Sequence, residues 1–97
     1  MHARVVDLRV RSVDTKDMVR VYRDEVVPAA RKQAGFEGAM LLTDPETGIV
    51  ISITLWETAA EREAAVDGGF YDEKIDKFAA MLTGTPVRKH YDVSLMV

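Results

Sequence analysis

The chain has 97 residues, room for one domain and one core. Its apolar share of 47% and charged share of 30% exclude the composition of disordered chains. The 13 Lys and Arg are scattered among 16 Asp and Glu for a net charge of −3, which leaves no basic surplus for nucleic acid. Cysteine is absent, so disulfides and thiolate metal sites are excluded. The N-terminal stretch lacks the apolar core of a signal peptide, and no apolar run reaches the 18 or more residues of a membrane span. A cytoplasmic protein with no membrane partner is expected.

Residues 3–11 alternate Val6, Leu8 and Val10 with Asp7, Arg9 and Arg11, the period-2 pattern of a strand with one buried face. Asp14, followed by Asp17, suits a helix N-cap, and Met18, Tyr22, Val26 and Ala29 then recur on one helical face, predicting a helix over residues 15–33. Pro28 falls inside it, where it lacks an N–H and crowds the carbonyl of Asp24. A bend is expected near Val27, as a curve that wraps the sheet.

Gly35 ends that helix. The next two strands flank a turn that opens with Asp44-Pro45 and closes with Gly48, the chemistry of a hairpin. Thr58 and Glu61 form a T-x-x-E capping box ahead of good helix formers, and Gly68-Gly69 break the second helix. Tyr71, Ile75, Phe78 and Leu82 resume a buried helical stripe, stopped by Gly84 and Pro86. Tyr91, Val93 and Leu95 alternate with His90, Asp92 and Ser94 in a fourth strand.

The order β-α-β-β-α-β, with the second helix broken, predicts an α+β, ferredoxin-like domain over residues 1–97, its antiparallel sheet covered by helices on one face. Strands two and three are apolar on both parities: Phe36, Met40 and Leu42 against Leu41, and Ile49, Ile51, Ile53 and Leu55 against Val50 and Trp56. Such strands want cover on both sides, so a homodimer is expected in which a second sheet packs on the open face.

No Gly-rich phosphate loop, HExxH or GxSxG motif is present, and the two histidines are too far apart in sequence for a metal cluster; no cofactor and no metal are expected. His90, next but one to Asp92, is a candidate base, although a lone strand histidine is more often structural. Trp56 suits either a cavity wall or plain packing, and Tyr22 and Tyr71 fall on helical faces where aromatics are usually core.

The stretch from Val26 through the Gly35-Phe36 helix exit and the Asp44-Pro45 turn to Leu55-Trp56-Glu57, with the aromatic helix after it, resembles the antibiotic biosynthesis monooxygenase-like family of dimeric α/β barrels. The likeness spans nearly the whole chain. It implies the fold and dimer above and an activity drawn from cofactor-free oxidation of anthrones by dioxygen, quinol oxidation or haem cleavage. In the anthrone-oxidising branch an asparagine precedes the strand tryptophan by four residues and a tyrosine follows by six; here Trp56 is kept, with Ser52 and Arg62 at those places. The haem-degrading set of Asn, Trp and His falls on Val6, Ala65 and Ile75, and Ile75 cannot ligate iron, which disfavours haem cleavage.

The resemblance thus implies a ligand pocket of Leu41, Ser52, Trp56, Arg62, Ala65 and Ile75, with Tyr22, Tyr71 and His90 as further candidates. It also places Ser52 and Trp56 between sheet and helices, whereas periodicity alone would turn Ile51, Ile53 and Leu55 that way. The reading is a cofactor-independent monooxygenase for a small aromatic, polyketide-like or quinol-like substrate. Its rivals are a non-catalytic small-molecule binding or sensing domain and a purely structural dimer.

Overall fold

In the computed structural model, which describes residues 1–97, one side of the first strand carries the helices. In β1 (His2–Arg9) Arg4, Val6 and Leu8 are buried, and Val10 extends the row through a bridge to Leu82. β2 (Phe36–Asp44), β3 (Ile49–Trp56) and β4 (Val87–Asp92) complete a four-stranded sheet in the order β2-β3-β1-β4, every neighbouring pair antiparallel. Val6 lies opposite Ser52 on one side and Arg88 on the other, and Arg4 opposite Thr54 and His90. These positions share one face, so Val50, Ser52, Thr54 and Trp56 turn toward the helices and Ile49, Ile51, Ile53 and Leu55 turn away. The resemblance therefore predicts the inward side of β3 correctly, and periodicity alone does not.

The helical layer begins with a short 3-10 turn (Ser12–Asp14) and α1 (Thr15–Val21). Asp14 does not cap with its side chain as expected. Its carboxylate takes the Arg11 guanidinium at 2.9 Å instead, and Thr15 Oγ1 donates to the Ser12 carbonyl at 2.9 Å. Tyr22–Val26 form a wide π turn, and α2 (Val27–Ala30) follows, ending short of the expected residue 33. The wide turn is the form the bend takes: it ends two residues before Pro28, and the Val27 N–H donates to the carbonyl of Tyr22, five residues back. Pro28 has no N–H to offer Asp24, so widening the turn just ahead of it relieves the crowding at a small cost in hydrogen bonds.

The hairpin turn holds Gly48 at φ +78°, where a Cβ would lie 1.9 Å from the Val10 carbonyl oxygen, so glycine is required there. Thr58 caps α3 (Ala59–Asp67) by accepting the Glu61 N–H at 3.1 Å, as its motif predicts. After Gly68 and Gly69 the chain restarts as α4 (Phe70–Phe78). One hydrophobic core joins Val6, Leu8 and Val50 of the sheet to Met18, Tyr22 and Phe78 of the helices.

The opposite face of the sheet is uncovered. Met40 and Leu42 are 52% and 44% exposed, Tyr91 is 51% exposed, and the four inter-row residues of β3 are only half-buried. Val93, Leu95 and Met96 run beside Met40, Ile53 and Leu55 and line a shallow apolar groove. No helix is long and apolar enough to cross a membrane.

Candidate functional site

Between the sheet and the helices lies a mostly apolar cavity of about 50 Å³, space for roughly four waters at ~10–15 Å³ each. Its floor is the inward row of β1 and β3: Arg4, Val6, Ser52, Thr54 and Trp56. Tyr22, Val26 and Ala30 close one side. α4 supplies the other through Phe70, Tyr71, Lys74, Ile75 and Phe78, so a single nine-residue helix behind two glycines forms a whole wall.

The polar groups on this floor are mostly paired with one another. Tyr22 Oη and Ser52 Oγ stand 2.9 Å apart in a buried pair, and burial raises the Tyr22 phenol above its ordinary pKa despite the bond to Ser52. Trp56 is fully buried, edge-on to Phe36 at 5.7 Å, and its indole N–H donates to Thr54 Oγ1 at 3.0 Å. The indole therefore presents ring surface to the cavity with its donor already used.

Arg4 is the exception. It is 3% exposed, and its guanidinium carbon sits 5.7 Å from the Trp56 ring centroid and 5.5 Å from that of Tyr71. Nη2 donates to the Arg62 carbonyl, and Nε donates to His90 Nε2 at 3.4 Å. Desolvation, followed by the repulsion of Arg88, lowers its pKa to about 10, so it remains a cation at neutral pH. Arg88 covers the Tyr71 ring at 4.8 Å, and burial raises the Tyr71 phenol in spite of the two guanidinium groups beside it. Neither tyrosine is a ready phenolate near pH 7.

Of the residues expected in the pocket, Ser52, Trp56, Ile75, Tyr22 and Tyr71 line the cavity together. Leu41, Arg62, Ala65 and His90 do not. Leu41 packs from β2 against the edge of the core, and Ala65 is 3% exposed within the α3 layer. Arg62 turns its guanidinium to Glu63 Oε1 at 3.1 Å, offering only its carbonyl to Arg4. His90 stands behind Arg4 on β4, with Nδ1 3.1 Å from Glu63 Oε1. Because Arg4 Nε can only donate, His90 Nε2 is the acceptor and its proton rides on Nδ1. Burial, then Arg62, lowers the His90 pKa. Asp92 is not its orienting partner, as its carboxylate meets His2 Nδ1 at 2.9 Å.

Arg4, Thr54, Phe70 and Lys74 are site residues that the sequence reading missed. A signal for Arg4 was present, because the alternation of Val6, Leu8 and Val10 carried back two residues puts it on the buried parity.

No family model matches the chain. Two uncharacterized proteins from strains of Mycobacterium tuberculosis are 28% identical over 99% of this chain, which spans only 42% of their length. Among solved structures, a protein of unknown function from Nitrosomonas europaea superposes with a TM-score of 0.78 at 15% identity, covering 99% of this chain and 91% of the other. An antibiotic biosynthesis monooxygenase gives 0.75 at 14% identity, covering 98% and 100%. A Streptomyces coelicolor monooxygenase solved with nanaomycin D gives 0.75 at 18% identity, covering 99% and 89%. At these identities it is the backbone architecture that is shared: the chain has the ferredoxin-like fold of the antibiotic biosynthesis monooxygenases.

Proposed function

We propose that this domain works as a homodimer and oxidises a small, flat, electron-rich aromatic with dioxygen, without metal or organic cofactor. The observation that carries the reading is the apolar cavity walled by the Trp56 ring and roofed by α4, in a fold shared with monooxygenases. In the reaction, an anthrone-type substrate loses a proton from its CH2 carbon. The carbanion passes one electron to dioxygen, the radical pair joins in a C–O bond, and the protonated peroxide loses water to leave a carbonyl. One CH2 and one O2 become one C=O and one H2O. The protein supplies orientation against Trp56 and exclusion of water.

The exposed apolar face of the sheet supports the dimer, since a patch of Met40, Leu42, Ile53, Leu55 and Tyr91 would be covered by a second copy packed on it.

One observation favours a second reading, a non-catalytic binding domain. Tyr22 pairs with Ser52, Trp56 with Thr54, and both pocket tyrosines are held protonated, so no general base faces the cavity. A filled structural dimer is the weakest of the three, because about 50 Å³ remains open between the sheet and the helices.

Oxygen consumption with anthrones and dihydroxynaphthalenes, read beside thermal stabilisation by the same compounds, decides between them. Uptake lost in Trp56→Phe supports the oxidase; stabilisation without uptake supports the binding domain.

A further inference from the structure

Arg4 is a charge out of place. Removing a cation from water is costly unless an anion meets it, and such groups are normally paired. Yet no carboxylate lies within ion-pair distance of Arg4: its partners are a carbonyl, an imidazole nitrogen and two ring faces. The nearest acid, Glu63, is engaged by Arg62 and His90. More positive charge crowds the same end of the cavity, Arg88 across Tyr71 and Lys74 on the lining of α4. The Lys74 ammonium at least meets Glu73 at 3.2 Å.

The free valence of the group has a direction. Arg4 Nε and Nη2 are bonded to the protein, whereas Nη1 has no protein acceptor. No fully buried side-chain nitrogen or oxygen in the molecule lacks a partner. Nη1 is therefore not sealed in, and Arg4 is among the residues that line the cavity.

We infer that the cavity takes an aromatic carboxylate, its ring in the apolar space between the sheet and α4 and its carboxylate on Nη1 of Arg4. An anion there would relieve the repulsion between Arg4 and Arg88 and form a charge-assisted hydrogen bond in a mostly apolar pocket, where such bonds are strong. The guanidinium lies within cation–π distance of both the Trp56 and the Tyr71 ring, and its bonds to the Arg62 carbonyl and His90 fix two of its nitrogens before a ligand arrives. The cavity of about 50 Å³ limits the ligand to a small ring system. This inference rests on the reading of the cavity as a ligand site and narrows its substrate class to acids.

The test compares each acid with its neutral amide: salicylate with salicylamide, and 2-naphthoate with 2-naphthamide, by isothermal titration on the wild-type protein, Arg4→Gln and Arg4→Lys. The acids should bind the wild type at least about tenfold tighter than the amides. Arg4→Gln should abolish that gap while still binding the amide, and Arg4→Lys should restore part of it. Equal binding of acid and amide to the wild type overturns the anion site and leaves the cavity as a ligand site. A gap that persists in folded Arg4→Gln removes Arg4 from the role. If neither acid nor amide binds while a neutral dihydroxynaphthalene does, the carboxylate proposal alone falls; if none binds, the ligand-site reading falls with it. Should Arg4→Gln not fold, the wild-type comparison and Arg4→Lys still decide.

Discussion

The hydroxyl of Tyr22, carried on the helical layer, meets the hydroxyl of Ser52, in the middle of β3, at 2.9 Å with both side chains buried. Each satisfies the other, so removing one strands its partner. Tyr22→Phe and Ser52→Ala should each destabilise by about 1–3 kcal/mol, while the double variant should cost clearly less than their sum. Urea denaturation of the four proteins checks this; strict additivity would mean that the pair does not hold the two layers together.

His90 gives a pH dependence of known sign. Its folded pKa lies below the ordinary 6.5, through burial first and Arg62 second. Between those two values the unfolded chain binds the proton and the folded one does not, so stability falls as pH drops from about 6.5 through the folded value. His90→Gln should flatten that part of the stability curve, measured by denaturation at a series of pH values. A curve unchanged by the substitution would mean that the folded His90 pKa is not lowered.

The uncovered sheet face makes the oligomeric state a sharp test. Ile53, half-buried beside Met40 and the Val93–Met96 segment, lies at the centre of the apolar groove. Ile53→Lys should yield a folded monomer by light scattering and circular dichroism, against a wild-type dimer. A wild-type protein that is monomeric at tens of micromolar would remove the dimer from the reading.

Two glycines with nearly the same backbone angle separate strain from collision. Gly48, at φ +78°, has the Val10 carbonyl where its Cβ would go, whereas Gly69, at φ +85°, has open space. Gly69→Ala should cost only the left-handed penalty of roughly 1–2 kcal/mol, and Gly48→Ala should cost clearly more. Thermal or urea unfolding of both variants reads the difference; equal losses would mean that the hairpin shifts away freely.

Much of the fold is legible in the residues themselves. The alternation of Val6, Leu8 and Val10, the Asp44-Pro45 turn, the Thr58–Glu61 cap and the break at Gly68-Gly69 each settle a local conformation, and all four elements stand where they point. The inward face of β3 is not legible in this way, because the row that faces the helices carries Ser52 and Thr54, while the wholly aliphatic row Ile49, Ile51, Ile53 and Leu55 faces away. Only long-range pairing distinguishes them. The site divides similarly. Aromatic residues could be expected to gather under α4, but Arg62 and His90, polar and near the right elements, both meet Glu63 instead of facing the cavity. Asp14 likewise prefers the nearby Arg11 to the helix end, a contest between two local partners that a capping pattern does not weigh.

The wide turn at Tyr22–Val26 makes the pocket sensitive to chain length as well as to side-chain identity. In a regular helix residues four apart drift around the axis by about 40° at each step, yet Tyr22, Val26 and Ala30 all border the same cavity. A turn closed over five residues advances less per residue and takes up that drift. Deleting one residue from Arg23–Glu25 would let an ordinary turn form and swing Tyr22 off Ser52. The length of the first helix, and not only its composition, thus sets which side chains border the cavity.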